Sequence, residues 1–138
     1  MTLGKSRFDK DCQYELLRLC YSQGLTVVGG ASKLFSRFIK DHNPESVISY
    51  SDRSQNLGTV YQQLNFKFSH TSPPSYHYTK DLITIESRIK YQKHKLKNLL
   101  LEFDPGLSEW ENMVNNGYNR IWDCGNDVWK WTVDSRPL

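Results

Sequence analysis

The sequence predicts an α/β (α+β) chain, a mixed sheet with flanking helices, and three stretches carry that reading. "YELLRLC" at residues 14–20 is an almost continuous apolar run of strand length, the pattern of a central strand covered on both faces. "ASKLFSRFIKDHN" at 31–43 sets Leu34, Phe35, Phe38 and Ile39 at helical spacing with Lys33, Ser36, Arg37 and Lys40 between them. That is an amphipathic helix. Pro44 ends it, and Val47 to Tyr50 form a β-rich run that reads as the next strand, parallel to the first.

The remaining elements follow in order. "MTLGKSRF" reads as a strand ahead of residue 14, and "TVVGGASKLF" at 26–35 places two glycines and an alanine before the helix. Such a turn presents backbone N–H groups at the positive end of a helix, so it suits either an anion or a tight scaffold turn. "NLGTVYQQLNFKF" at 56–68 gives a short helix with Val60, Tyr61 and Leu64 on one side. Asn65 closes it, because Asn tolerates the left-handed conformation of a C-cap, and a strand leaves through Phe66 and Phe68. Pro73 and Pro74 mark a loop before strand residues Tyr76 to Tyr78.

From Ile85 to Phe103 the pattern predicts one continuous helix. Ile89, Leu96, Leu99, Leu100 and Phe103 fall on one side, and Lys90, Lys93 and Lys97 on the other with His94 beside them. "DPG" at 104–106 turns the chain, and "SEWE" at 108–111 has the form of a capping box for a short helix that stops at Asn116-Gly117. That helix points Trp110, Met113 and Val114 inward. "YNRIWDCGNDVWKWTV" at 118–133 alternates aromatic and β-branched residues about Gly125 and Asn126, which reads as a β-hairpin. Residues 1–138 are thus expected to form a single domain. It comprises a sheet-and-helix core over 1–80, a basic helix and a short helix over 81–117, and a C-terminal hairpin over 118–138.

Composition narrows the class. The 38% hydrophobic and 13% aromatic shares suit a packed core, and 24% charged residues is ordinary for a soluble protein. No stretch approaches a membrane span and the N-terminus lacks a signal-peptide apolar region, so a cytoplasmic location with no membrane partner is expected. Cys12, Cys20 and Cys124 lack metal or disulfide spacing and read as reduced, buried thiols. His42, His70, His77 and His94 are scattered. No metal and no cofactor is expected. Trp110, Trp122, Trp129 and Trp131 read as core or dimer-face residues.

Charge is unevenly placed. Residues 1–40 carry seven Lys/Arg against three Asp/Glu and residues 86–103 five against two, whereas the last 35 residues carry three against six. A basic face suits an anionic partner. Arg88, Lys90, Lys93, His94, Lys95 and Lys97, with Arg53 and Arg120 at strand ends, are the candidate DNA-binding residues. Lys5, Arg7 and Lys10 form a possible additional arm.

Two family resemblances bear on these residues. The succession from V-V-G-G-A through "ISYSDR" to "VYQQLNFKF" resembles the second half of the N-acetyltransferase superfamily of the GCN5-related type. The resemblance implies a truncated form of that fold. It would assign Gly29, Gly30 and Ala31 to a loop holding the coenzyme A pyrophosphate, and Tyr61 to a general acid. Thr26 stands where that family has Arg or Gln, and Asn65 where it usually has Gly. The strands and helices that supply the acceptor site would precede residue 1, so coenzyme A-dependent catalysis is kept as an alternative only.

The larger resemblance is to the C-terminal region of phage homing endonucleases. It is carried by "YELLRLC", "VVGGASKLF", "VISYSDR", "VYQQLNFKFSHTSPPSYHY" and "NGYNRIWDCGN" in that order. It implies a DNA-binding or target-recognition domain. The nuclease domain would lie upstream and is expected to be absent, and the sequence holds no convincing nuclease motif. The expectation is therefore a sequence-specific protein that binds double-stranded DNA without cutting it, as a homodimer, and represses genes of a phage, satellite or mobile element. A protein-interaction inhibitor is the further alternative.

Overall fold

The computed structural model describes residues 1–25, 27–55 and 57–135. They form a mixed α+β structure with two sheets, as the class expectation requires. The elements divide between two compact units, one built from Met1–Pro73 and the chain from Gly125 onward, the other from Pro74–Cys124. The boundaries drawn from the sequence at 80 and 117 do not coincide with this division. The reason is nesting: the chain leaves the large sheet at Pro73 and returns to it at Gly125, and linear periodicity carries no sign of that return.

The first unit contains strands β1 (Thr2–Lys5) and β2 (Tyr14–Arg18), helix α1 (Gly30–His42), strand β3 (Ser46–Asp52), helix α2 (Thr59–Gln63), and strands β4 (Lys67–Thr71) and β8 (Asn126–Thr132). Its five-stranded sheet has the order β1-β2-β3-β8-β4. β2 and β3 run parallel, joined by α1, and the other pairs are antiparallel. One face of the sheet offers Leu16, Val47, Trp129 and Trp131 to Phe35, Leu64 and Phe66. Each such large side chain, once buried, contributes about 2–3 kcal/mol. α1 and α2 therefore form where the apolar spacing puts them, and Asn65 takes the left-handed conformation expected of it, at φ 62°.

The opposite face packs Ile48 and Val128 with Cys12 and is covered by the segment between β1 and β2. Two ion pairs fasten that segment. Arg7 reaches Glu15, whose side chain is only 1% exposed, at 2.6 Å, and Lys130 reaches Asp9 at 2.7 Å. Both carboxyls are held below the usual carboxylate range, Glu15 by the Arg7 hydrogen bonds and Asp9 by that of Lys130. Arg7 therefore belongs to the folded unit and not to a free arm.

Two expectations for this unit are corrected. "YELLRLC" is not covered along its length: β2 ends at Arg18, Leu17 is exposed, and pairing to β3 covers Tyr14 and Glu15 alone. Of the three thiols only Cys12 is buried, while Cys20 and Cys124 are exposed. They lie outside the strands, where no sheet face covers them.

The second unit contains β5 (Tyr76–Thr79), β6 (Glu86–Ser87), a 3-10 turn (Arg88–Tyr91), α3 (Lys93–Leu96), α4 (Glu109–Asn115) and β7 (Asn119–Trp122). Its sheet order is β6-β5-β7. α4 opens on the expected capping box, with both Ser108 and Glu111 bonds present, and ends at Asn116. Met113 is buried within it, but Val114 is exposed.

The continuous helix over 85–103 is replaced by β6, the 3-10 turn and a single turn of α3. Glu86 pairs with Tyr78 in the sheet, the Ser87 hydroxyl accepts from the Ile89 N–H, and Gln92 is extended at ψ 140°. The strand pairing, the Ser87 bond and the extended Gln92 together interrupt the helical ladder. Tyr91 and Leu96 are buried instead, leaving Ile89 62% exposed. The expected hairpin over 118–133 is likewise absent: β7 pairs with β5, whereas β8 pairs with β3 and β4. Alternation reports which face is buried, not which strand lies alongside. Among the described residues no helix is long and apolar enough to cross a membrane.

Candidate nucleic-acid interface

The second unit gathers most of the sequence-predicted cations. Its sheet register sets Tyr76 opposite Trp122 and Tyr78 opposite Arg120, so these four side chains share one face. Tyr78 is fully buried, in edge contact with Tyr91 at 5.5 Å and stacked on Trp110 at 6.4 Å. Its hydroxyl donates to Glu109 at 2.9 Å, and that of Tyr76 donates to the same oxygen at 3.2 Å. Burial is the main cause that pushes the Tyr78 phenol above its ordinary range.

Arg120 inserts its guanidinium between aromatic rings, 4.1 Å from the Tyr76 centroid and 4.3 Å from that of Trp110. One terminal nitrogen donates to the Tyr78 hydroxyl at 3.4 Å, while Nε is buried without a hydrogen-bond partner among the described residues. Arg120 is thus part of the aromatic cluster, held by cation–π attraction. Arg88, the first residue of the 3-10 turn, places its guanidinium 4.9 Å from the same Tyr76 ring.

The rest of the basic run is sorted by its partners. Lys90 bonds Glu86 at 2.5 Å, and the Tyr91 hydroxyl donates to the other Glu86 oxygen. The Lys90 bond, then that of Tyr91, lowers the Glu86 carboxyl, and Glu86 in turn raises the Lys90 ammonium. Lys95 donates to the Ile89 carbonyl at 2.9 Å. Lys93, His94 and Lys97 are exposed, and among the described residues none of them enters an ion pair, although the charge of Lys93 helps to lower the Glu111 carboxyl after its bonds with Ser108. Lys90, His94 and Lys95 line a shallow recess with Asn98 and Leu99. Buried Leu96 anchors the segment, so the cations around it face outward.

Arg53 lies in the first unit, where it pairs with Asp127 at 3.5 Å. It is not brought together with the basic run by any element of its own unit. The residues of the alternative cofactor loop serve the turn into α1. Gly29 has φ 70°, and a Cβ on buried Gly30 would come within 2.9 Å of the Tyr21 hydroxyl. Ala31 packs against the core. Tyr61 stacks on Trp129 at 5.8 Å and donates to the Tyr50 carbonyl at 3.4 Å. Thr26, the position at which the loop departs from Arg or Gln, lies outside the described residues.

Sequence reasoning missed Trp122 and Glu109. Trp122 was grouped with the structural tryptophans, yet it is 58% exposed, whereas Trp129 and Trp131 are buried. The alternation was visible, but its outward member was not distinguishable without the sheet assignment. Glu109 sits inside the capping-box motif, which gave no sign that two tyrosine hydroxyls would converge on it. Among the described residues no three His, Cys, Asp or Glu side chains are grouped so as to hold a metal ion. No family model matches the chain, and none of the curated proteins searched matches it.

Proposed function

We propose that the chain binds double-stranded DNA sequence-specifically without cutting it, and represses genes of a phage or mobile element in the cytoplasm by occupying their control sites. The observation that carries this reading is the segment Arg88–Lys97. It holds five Lys/Arg and a histidine, and among the described residues only Lys90 of them is committed to an ion pair. Cations without carboxylate partners pair with phosphates at little cost and release the counterions condensed on DNA. Arg88, Lys93 and Lys97 are the strongest phosphate contacts, with His94 and Lys95 beside them and Lys90 contributing field.

Homodimer formation is part of the proposal. Among the described residues β1 pairs with β2 alone, so its outer edge presents backbone groups that a second copy can cover. Two-fold symmetry then calls for a palindromic or repeated site. Occupancy alone suffices for repression, and no cofactor is invoked.

The test is titration of a labelled duplex with the wild type and with the triple variant Lys90→Ala, Lys93→Ala, Lys97→Ala. Wild-type binding that weakens steeply with salt, and a weaker, flatter response in the variant, support the proposal. Equal affinities would remove this segment from the interface.

A further inference from the structure

The aromatic face of the second unit carries an exposed indole that duplex binding does not use. Trp122 is 58% exposed and stands 5.0 Å from Tyr76, centroid to centroid. Around the same Tyr76 ring lie two guanidiniums, Arg88 at 4.9 Å and Arg120 at 4.1 Å. Neither arginine has a carboxylate partner among the described residues. Glu109, a carboxylate of the cluster, accepts from the two tyrosine hydroxyls. The Nε of Arg120 has no hydrogen-bond acceptor among the described residues.

This arrangement has a specific chemical complement. An exposed indole offers a π face, and a base inside a duplex has no free π face to meet it. An unpaired base has one. Two guanidiniums without a carboxylate partner among the described residues call for an anion, and the phosphate of the same nucleotide supplies it bidentately to Arg88. From Tyr76, Arg88, Arg120 and Trp122 we infer a site for one unpaired nucleotide of DNA, stacked on Trp122 with its phosphate on Arg88. The inference rests on the DNA-binding reading and deepens it, because it states that the preferred target contains a base out of the helical stack.

Tyr76 is the organising residue. It presses against Glu109 through its hydroxyl and so fixes the ring on which both arginines rest. Arg120 is locked from behind by Trp110 at 4.3 Å, while Arg88 is exposed and free to turn toward a phosphate. The site is therefore pre-formed on its inner side and adaptable at its rim, which limits the ordering cost of binding.

The experiment compares two DNA ligands, a fully paired duplex and the same duplex with a single bulged thymidine. Wild type is expected to bind the bulged ligand about tenfold more tightly, the scale of one base stacked on an aromatic ring. Trp122→Ala is expected to bring that ratio to about one, and Trp122→Phe, which keeps a π face, to restore most of it. A wild-type ratio of one overturns this inference while leaving duplex binding intact. A preference that persists in Trp122→Ala also overturns it. Failure of the wild type to bind either ligand removes both this inference and the DNA-binding reading.

Discussion

Lys93 and Lys97 enter no ion pair among the described residues, whereas Lys90 is bonded to Glu86 and Lys95 to the Ile89 carbonyl. Pairwise replacement therefore separates two kinds of lysine within one short segment. Each phosphate contact adds about 0.9 to the slope of log affinity against log salt, so Lys93→Ala with Lys97→Ala should flatten the slope by about 1.8. Over a fourfold rise from about 50 to about 200 mM salt, wild type should lose about 12-fold more affinity than the double variant. Lys90→Ala with Lys95→Ala should change the slope by much less, since those ammonium groups already have partners. The assay is fluorescence anisotropy of a labelled duplex at four or more salt concentrations. Equal slope changes in the two double variants would refute the reasoning, for they would show that partners within the fold do not decide which cations reach phosphate.

Two further outcomes follow from the packing. Gly125 has φ 73°, and a Cβ there would come within 2.3 Å of the Ser72 carbonyl oxygen. Gly125→Ala should lower the unfolding free energy by about 3 kcal/mol or more, through left-handed strain and a backbone clash together, read by urea denaturation; a loss under about 1 kcal/mol contradicts the account of the return into β8. The folded-state pKa values of Glu15 and Asp9 are depressed. Their stabilisation is thus fully present above the ordinary carboxylate pKa of about 4 and is lost as pH falls through the depressed values. Glu15→Gln should remove roughly 2 kcal/mol at neutral pH and flatten the acid limb of thermal stability, and an unchanged acid limb contradicts the Arg7 pairing.

Much of the first unit was legible in the sequence because its signals are local. The spacing of Phe35, Phe38 and Ile39 declares α1 and Asn65 declares the end of α2, and in the second unit Ser108 with Glu111 likewise declares the start of α4. Parallel pairing of β2 with β3 followed from the intervening helix. What failed depends on distant partners. Leu96, Leu99 and Leu100 keep helical spacing, but the Glu86 pairing in β6 and the extended Gln92 stop the helix from starting upstream.

The candidate site shows the same division. The cluster of cations at 88–97 was plain from composition, and their sorting into engaged and free groups was not, because Glu86 and the Ile89 carbonyl are identified as acceptors only once the turn is built. Trp122 and Trp129 occupy one alternating stretch, yet they enter different sheets and meet different fates. The alternation reads both as core or dimer-face residues, and Trp129 is buried while Trp122 is exposed.

The central claim is that this chain recognises a duplex sequence and leaves it uncut. In vitro selection from a random duplex library, followed by incubation of the selected site with protein and magnesium, tests it most directly. The account predicts enrichment of a palindromic or repeated sequence whose strands remain intact; no enrichment, or cleavage at the enriched site, would contradict it.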